Sequence, residues 1–414
     1  MRTKRTGLFS YGLLWFGAAL SMAEIFTGTI LAPLGFTKAL AAIILGHIIG
    51  GSLLFLAGVI GGQTRHSAME SVRIAFGQRG ASFFAIANIL QLIGWATVMI
   101  ITGSAAAQSI HPLGTGIWAA IIGAIIILWL FVSPQTLTKM NTVAMSLLFL
   151  LALWLSSVII TPAINLSGPI TTNFFNDDLS FGAAVELAAA MPISYLPLIS
   201  DYTRNAKRPV AAAGVSTVTY CVISAWMYVI GLSCAIYTGE NDIVAVMANT
   251  GIGVFPLLII VFSTVATTYL DSYSSGVSVA SLFPKAPEKI TSIIVTILSV
   301  CLAIIVPMTE YEEFLFLIGS IFTPMIAILF SQYFLLKNDA TGSAFNMQSI
   351  ILWIIGFVLY RSVLTFETPL GTTFPVMITI ALLTYIVGRI TGKRNTRYAK
   401  QDIHEKEELP LNHL

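Results

Sequence analysis

Residues 8–34 read LFSYGLLWFGAALSMAEIFTGTILAPL, and residues 182–201 read GAAVELAAAMPISYLPLISD. Each is apolar and long enough to cross a bilayer, which takes roughly 20 such residues. Each also carries the residues that interrupt a helix. In the first stretch Gly17, Ser21, Glu24 and Gly28 recur at helical spacing. In an unbroken helix they would lie within roughly 60° of one another on one face. Small residues let backbones approach, while Gly weakens a helix by about 1 kcal/mol against Ala. The second stretch holds Pro192 and Pro197, and each removes a helix hydrogen bond. Unwound backbone at mid-membrane is tolerated where it lines a cavity. Two interrupted helices at corresponding positions in two halves of a chain point to a binding site between them.

The rest of the chain fits that frame. Of 414 residues, 56% are hydrophobic and only 10% charged, with mean hydropathy +0.87; soluble domains average about 45–50% and about 25%. Apolar runs between charged or Gly/Pro-rich breaks predict an all-α integral membrane protein of about twelve transmembrane helices. They cover 8–34, 38–62, 81–108, 114–133, 141–162, 182–201, 212–237, 252–282, 290–307, 313–336, 347–364 and 370–391, here called spans one to twelve. All of residues 1–414 then form a single transmembrane domain with no sizeable soluble part. The opening MRTKR imitates a signal peptide, but the apolar run continues from Leu20 to Leu34, so it reads as a retained first span. Of 21 Lys and Arg, only Lys38 and Arg361 are left on the outer side, each near the outer end of a span. By the positive-inside rule both termini are cytoplasmic, and the protein is expected in the cell (inner or plasma) membrane in contact with lipid. Residues 392–414 read as a solvated cytoplasmic tail. A net charge of +2 gives no reason to expect nucleic acid. Cys221, Cys234 and Cys301 have neither disulfide nor metal-ligand spacing and read as buried small hydrophobes.

Four carboxylates remain in or near spans, where an ionisable group usually faces a cavity or a partner. Glu186 and Asp201 lie near the ends of span six, within reach of water; structural roles are expected, with Asp201 paired to Arg204 or Lys207. Glu24 and Asp271 fall mid-span with no Lys or Arg at comparable depth. They read either as substrate or ion ligands or as protonated acids bonded to nearby backbone. Span three aligns Asn88, Gln91, Trp95 and Thr102 on one stripe, suited to helix–helix hydrogen bonding or to a flat polar ligand. Span eight carries Thr264, Thr267, Thr268, Asp271, Ser272, Ser274 and Ser275. Its paired threonines can offer hard oxygen ligands to a small cation, although membrane Ser and Thr often bond back to their own helix. His47 reads as a packed, hydrogen-bonded histidine and His111 as a loop residue.

The segment LLWFGAALSMAEIFTGTILAPLGFTKALAAIILGHIIGG (13–51) resembles the first two helices of the nucleobase–cation symporter-1 family, which includes cytosine, purine and thiamine-precursor permeases. The likeness continues at Gly94-Trp95, at MPISYLPLISDYTR (191–204) and at ATTYLDSYSSG (266–276). The last two segments are most similar to the hydroxymethylpyrimidine branch. The resemblance implies a leucine-transporter-like 5+5 inverted repeat plus two C-terminal helices, with 1–162 and 182–336 as the repeats and 347–391 as the extra pair. It also implies a substrate between spans one, three, six and eight. Trp95 would stack on a pyrimidine with Tyr195 near its other face, and Glu24, Gln91 and Asp271 would meet its polar edge. A sodium site would use carbonyls near Gly17 and Ser21 with the hydroxyls of Thr267 and Thr268. The sequence departs from relatives that place a Gln one turn after the span-three Trp, where it has Met99. It departs again from cytosine permeases after the paired threonines, where it has Tyr269-Leu270-Asp271.

The expected function is a secondary active importer, a cation symporter of a pyrimidine such as hydroxymethylpyrimidine, working by alternating access as a monomer. It would need no cofactor, only Na⁺ or H⁺ as coupling ion. Cytosine or another nucleobase is the alternative substrate, and an amino-acid carrier on the same fold the more distant one. No GxxxxGK[ST] loop for ATP, no HExxH and no filter-like pore loop is present, which argues against a pump, an enzyme or a channel. The Asp177-Asp178 doublet lies in an outer loop without supporting ligands.

Overall fold

The computed structural model describes residues 7–132, 134–165, 179–239, 255–283, 285–307, 310–366 and 368–391, and among them every regular element is helical. The N-terminal basic residues, the Asp177-Asp178 doublet and the tail from 392 fall outside the described residues. Each of the twelve predicted spans coincides with a helix. Spans two to five are Gly35–Thr64, Gln78–Ile110, Thr115–Trp129 and Pro134–Asn165; spans seven to nine are Pro209–Thr238, Phe255–Leu282 and Glu288–Ile305. Span ten, Tyr311–Phe330, runs on as the π-helical turn Ser331–Leu336, and spans eleven and twelve are Met347–Val363 and Thr373–Thr391. Among the described residues, seven helical segments are long and apolar enough to cross a membrane alone, and the bent pair of span one makes an eighth.

Span one breaks as its composition predicts. Helices Leu8–Ala19 and Met22–Ile30 meet at 52°. Ser21 is extended (φ −134°, ψ 150°), and its Oγ accepts from the Ala23 N–H at 3.1 Å, capping the second half-helix. Span six is interrupted more gently. Phe181–Ser194 and Leu196–Thr203 join at Tyr195, with Pro192 inside the first half and Pro197 in the opening turn of the second, where a missing N–H costs least. The Leu198 N–H turns to the Tyr195 carbonyl at 3.0 Å. This releases the Ser194 carbonyl, which accepts instead from Gln91 Nε2 at 2.8 Å.

These two broken spans sit inside the bundle. Span seven packs along both halves of span one and along span two, span two packs on span six, and span three runs beside span eight. Spans eleven and twelve dock on span ten, and their outer faces present Ile351, Ile354, Val358, Leu382, Ile386 and Ile390, an apolar surface suited to lipid. Small residues permit the closest crossings. A Cβ on Gly231 would fall 1.8 Å from the Ile25 carbonyl oxygen, and one on Gly28 2.2 Å from that of Tyr228. Of the cysteines only Cys234 is buried; Cys301 is exposed and Cys221 half-buried, because spans seven and nine each turn a face outward.

The two outer carboxylates have structural work, though not as expected. Glu186 is buried rather than reached by water. Its Oε2 accepts from the backbone N–H groups of Thr372 and Thr373 at 2.7 Å each. Its Oε1 accepts from Thr373 Oγ1 at 2.6 Å and from the Tyr360 hydroxyl. One carboxylate thus caps the last helix and ties spans eleven and twelve to span six. Glu186→Gln would turn an amide NH₂ toward these donors. We expect it to cost about 2–3 kcal/mol, read as a lower thermal midpoint in detergent; an unchanged midpoint would remove this role. Asp201 is not ion-paired with Arg204. Its Oδ1 accepts from the Ala68 N–H at 2.8 Å, capping the short helix Ala68–Phe76 between spans two and three. Arg204 lies 3.9 Å from Glu70 instead. Burial pushes the Glu70 carboxyl up, but hydrogen bonds from Ser67 and the charge of Arg204 outweigh it and hold it below the usual carboxylate range.

Candidate functional site

A cavity lies between spans one, three, six and eight. Its wall is built where the two interrupted spans face the two straight ones. Trp15, Ala18 and Ser21 come from span one, Trp95 and Met99 from span three, Ser194, Tyr195 and Tyr202 from span six, and Thr267, Asp271 and Ser274 from span eight. Such a lining, mostly apolar and aromatic with a few convergent polar groups, is the usual form of a small-molecule site.

Asp271 is the one carboxylate on this wall, and it makes no hydrogen bond or ion pair with any described residue. Trp95 is braced edge-on by Phe314 at 5.4 Å and by Tyr311 at 6.2 Å. Tyr195 packs edge-on against Trp15 at 5.4 Å and Tyr220 at 4.9 Å. The two rings stand on separate walls without touching. The indole N–H groups of Trp15 and Trp95 are buried without a partner, as is Gln91 Oε1. A buried donor or acceptor left unpaired costs about 1–3 kcal/mol, and here three such groups surround one cavity or stand just behind it.

The remaining expected residues are distributed as follows. Gln91 is not on the lining; its Nε2 is taken up by Asn88 Oδ1 at 3.0 Å and by the Ser194 carbonyl. Glu24 also lies off the lining and faces spans two and seven. Its Oε1 accepts from the Tyr220 hydroxyl at 2.6 Å and its Oε2 from Ser224 Oγ at 2.8 Å. Around the break in span one, the Ser21 N–H turns to the Ala19 carbonyl at 3.0 Å, so the Gly17 carbonyl lacks the donor an unbroken helix would supply. In span eight, Thr267 Oγ1 donates to the Thr264 carbonyl at 3.2 Å, while Thr268 Oγ1 is buried with no partner among the described residues. Thr102 only bonds back to the Val98 carbonyl. His47 is packed and hydrogen-bonded as expected, through both ring nitrogens.

Trp15, Tyr202 and Ser194 are cavity residues the sequence did not single out, while Ser274 belongs to the hydroxyl-rich stretch of span eight. Trp15 carried a usable signal, since a Trp seven residues into the first span is too deep for an interfacial belt. Nothing local marked Tyr202 or Ser194.

Comparison with known proteins bears directly on this geometry. Over residues 2–388 the chain matches the family described as "Permease for cytosine/purines, uracil, thiamine, allantoin". The chain belongs to this family. A curated relative, the cytosine permease of Escherichia coli (strain K12), is 20% identical over 361 residues, covering 85% of this chain and 84% of the relative. Among solved structures, the inward-facing conformation of Mhp1 superposes with a TM-score of 0.76 at 18% identity, covering 94% of this chain and 92% of that one. A second Mhp1 structure, titled a nucleobase-cation-symport-1 family transporter in a closed conformation with bromovinylhydantoin bound, gives 0.76 at 19%, covering 93% and 92%. A Na⁺-coupled sialic acid symporter gives 0.67 at 15%, covering 94% and 89%. At these identities the solved structures establish the fold, the leucine-transporter-like arrangement expected above. Membership in the permease family makes this a multi-pass membrane transporter of nucleobase-type small molecules and not an enzyme.

Proposed function

We propose that this permease is a secondary active importer of a pyrimidine, most specifically 4-amino-5-hydroxymethyl-2-methylpyrimidine, the thiamine precursor, driven by a cation gradient. The observation that carries the reading is the unpartnered Asp271 carboxylate on a cavity walled by aromatic rings. An aminopyrimidine presents an exocyclic N–H beside a ring nitrogen. A carboxylate accepts from the amino group and, if the ring is protonated, from the ring N–H as a charge-assisted pair. Trp95 and Tyr195 supply π-faces on separate walls, and the hydroxyls of Ser194, Ser274 and Tyr202 suit the hydroxymethyl group. Gln91 and Glu24 act behind the wall, where Gln91 holds the Ser194 carbonyl.

Sodium is the favoured coupling ion. The undonated Gly17 carbonyl, the Ser21 and Thr267 hydroxyls and the orphaned Thr268 hydroxyl are hard oxygens of the kind a small cation takes. Thr268→Val keeps the shape and removes the oxygen; we expect the sodium concentration for half-maximal uptake to rise about tenfold or more. An unchanged sodium dependence would dismiss the site.

The 5+5 arrangement assigns residues 1–162 and 182–336 to the two repeats and 347–391 to the added pair, in a monomer with both termini on the cytoplasmic side of the cell membrane. Cytosine or another nucleobase is the second reading, favoured by the cytosine permease among the relatives. Uptake of radiolabelled hydroxymethylpyrimidine into proteoliposomes, with and without an inward sodium gradient and with cytosine as competitor, decides between them. Sodium-dependent uptake indifferent to cytosine supports the first reading; cytosine accumulation without the other supports the second.

A further inference from the structure

Behind the cavity wall, three side chains form an unbroken chain of short hydrogen bonds. Glu24 Oε2 meets Ser224 Oγ at 2.8 Å, Ser224 Oγ meets His47 Nε2 at 2.7 Å, and His47 Nδ1 meets the Ile43 carbonyl at 2.8 Å. All three side chains are buried, none more than 4% exposed. Tyr220 donates to the other oxygen of Glu24. The remaining titratable groups nearby are Cys221 and Tyr228 of span seven, Tyr195 of span six and Tyr311 of span ten. Asp271 lies beyond Tyr195, which stands near both carboxylates. No described Lys or Arg is paired with Glu24.

Proton counting constrains this chain. A carbonyl oxygen only accepts, so His47 Nδ1 carries hydrogen. The two links from Glu24 to Ser224 and from Ser224 to His47 Nε2 need two hydrogens, and the serine brings one. The other sits on Glu24 or on His47 Nε2. Glu24 is then a carboxylic acid beside a neutral imidazole, or a carboxylate two bonds from an imidazolium. Both arrangements are neutral overall, which a buried membrane site favours. Removing the shared proton leaves one link without hydrogen and a net negative charge in the bundle.

We propose that Glu24, Ser224 and His47 are a single-proton site, and that the proton it holds is a coupling ion for import, separate from any ion at Thr267 and Thr268. The transfer is balanced. The Glu24 Oε2–H bond breaks as Ser224 Oγ takes that proton, and the original Ser224 O–H bond breaks as His47 Nε2 takes the other. The location supplies the coupling. Glu24 lies in the first turn of the half-helix capped by Ser21, and Ser21 lines the cavity. Tyr220, which holds Glu24, packs edge-on against the cavity residues Trp15 and Tyr195. A substrate that shifts Tyr195, or a half-helix 22–30 that moves against span seven, changes the hydrogen bonds that decide where the proton resides. Once the Ser224 link opens, Glu24 and His47 titrate independently and the proton is free to leave.

This inference rests on the import reading, and its test separates the two. In sodium-free buffer without substrate, the full-length protein is titrated by infrared difference spectroscopy. We expect a carboxylic-acid C=O band that Glu24→Gln removes and whose midpoint His47→Gln moves by about one pH unit or more. A band unmoved by His47→Gln overturns the shared proton. In proteoliposomes with an inside-alkaline gradient, His47→Gln should lower gradient-driven accumulation of radiolabelled hydroxymethylpyrimidine about tenfold more than it lowers counterflow exchange. Equal losses in the two assays overturn the coupling. Absence of any pyrimidine counterflow in the native protein would refute the substrate, and the infrared titration would still decide the proton site.

Discussion

Asp271→Asn is expected to reduce pyrimidine uptake by about a hundredfold, the loss falling mainly on KM. Truncating one end of a buried charge-assisted pair costs about 2–5 kcal/mol, and each 1.4 kcal/mol is a factor of about ten. Asp271 makes no hydrogen bond or ion pair with a described residue, so the change removes no polar link between spans. The thermal midpoint should therefore stay within about a degree of the native value. Proteoliposome uptake over a range of substrate concentrations, beside a melting curve, checks both halves. Uptake within twofold of native would mean that Asp271 does not meet the substrate. A collapse in thermal midpoint would mean that it supports the fold.

The second large effect is expected at Trp95. Stacking of a heterocyclic base on an aromatic ring is worth about 1–3 kcal/mol by alanine substitution, so Trp95→Ala should weaken substrate binding about 10- to 100-fold. Trp95→Phe should recover part of the loss, because a smaller ring still offers a π-face. Phe314 and Tyr311 hold the native indole edge-on, and the alanine variant also leaves those rings without support. The Phe variant is thus the informative one. Isothermal binding with hydroxymethylpyrimidine should rank native above Phe above Ala. Equal affinities for native and Ala would move the ligand away from this wall.

Much of the architecture was legible because hydropathy and chain breaking are local. The twelve spans follow from apolar runs and loop charges, and the breaks at Ser21 and between Pro192 and Pro197 follow from lost hydrogen bonds. Trp95, Tyr195, Ser21, Thr267 and Asp271, all marked in the sequence, line one cavity. Glu24 and Gln91 were recognisable as polar groups in costly places, but not as groups behind the wall. The roles of Glu186 and Asp201 also escaped the sequence. Each carboxylate caps a helix far away along the chain, at Thr372–Thr373 and at Ala68, and long-range caps leave no spacing signature. The Ser67–Glu70 capping box was readable as Ser-x-x-Glu and marks the short helix between spans two and three that the hydropathy reading passed over.

The sequence by itself determined the class, the number of spans, where two of them break, and which side chains are too polar for lipid. Only the tertiary structure decided which way those side chains face. The stripe Gly17, Ser21, Glu24, Gly28 assumes one continuous helix at about 100° per residue. Ser21 is extended and the axis turns by 52°, so the phase restarts at Met22. Ser21 then faces the cavity while Glu24, three residues later, faces His47 and Ser224. A periodicity argument holds only as far as the helix that carries it, and here the helix ends in the middle of the site.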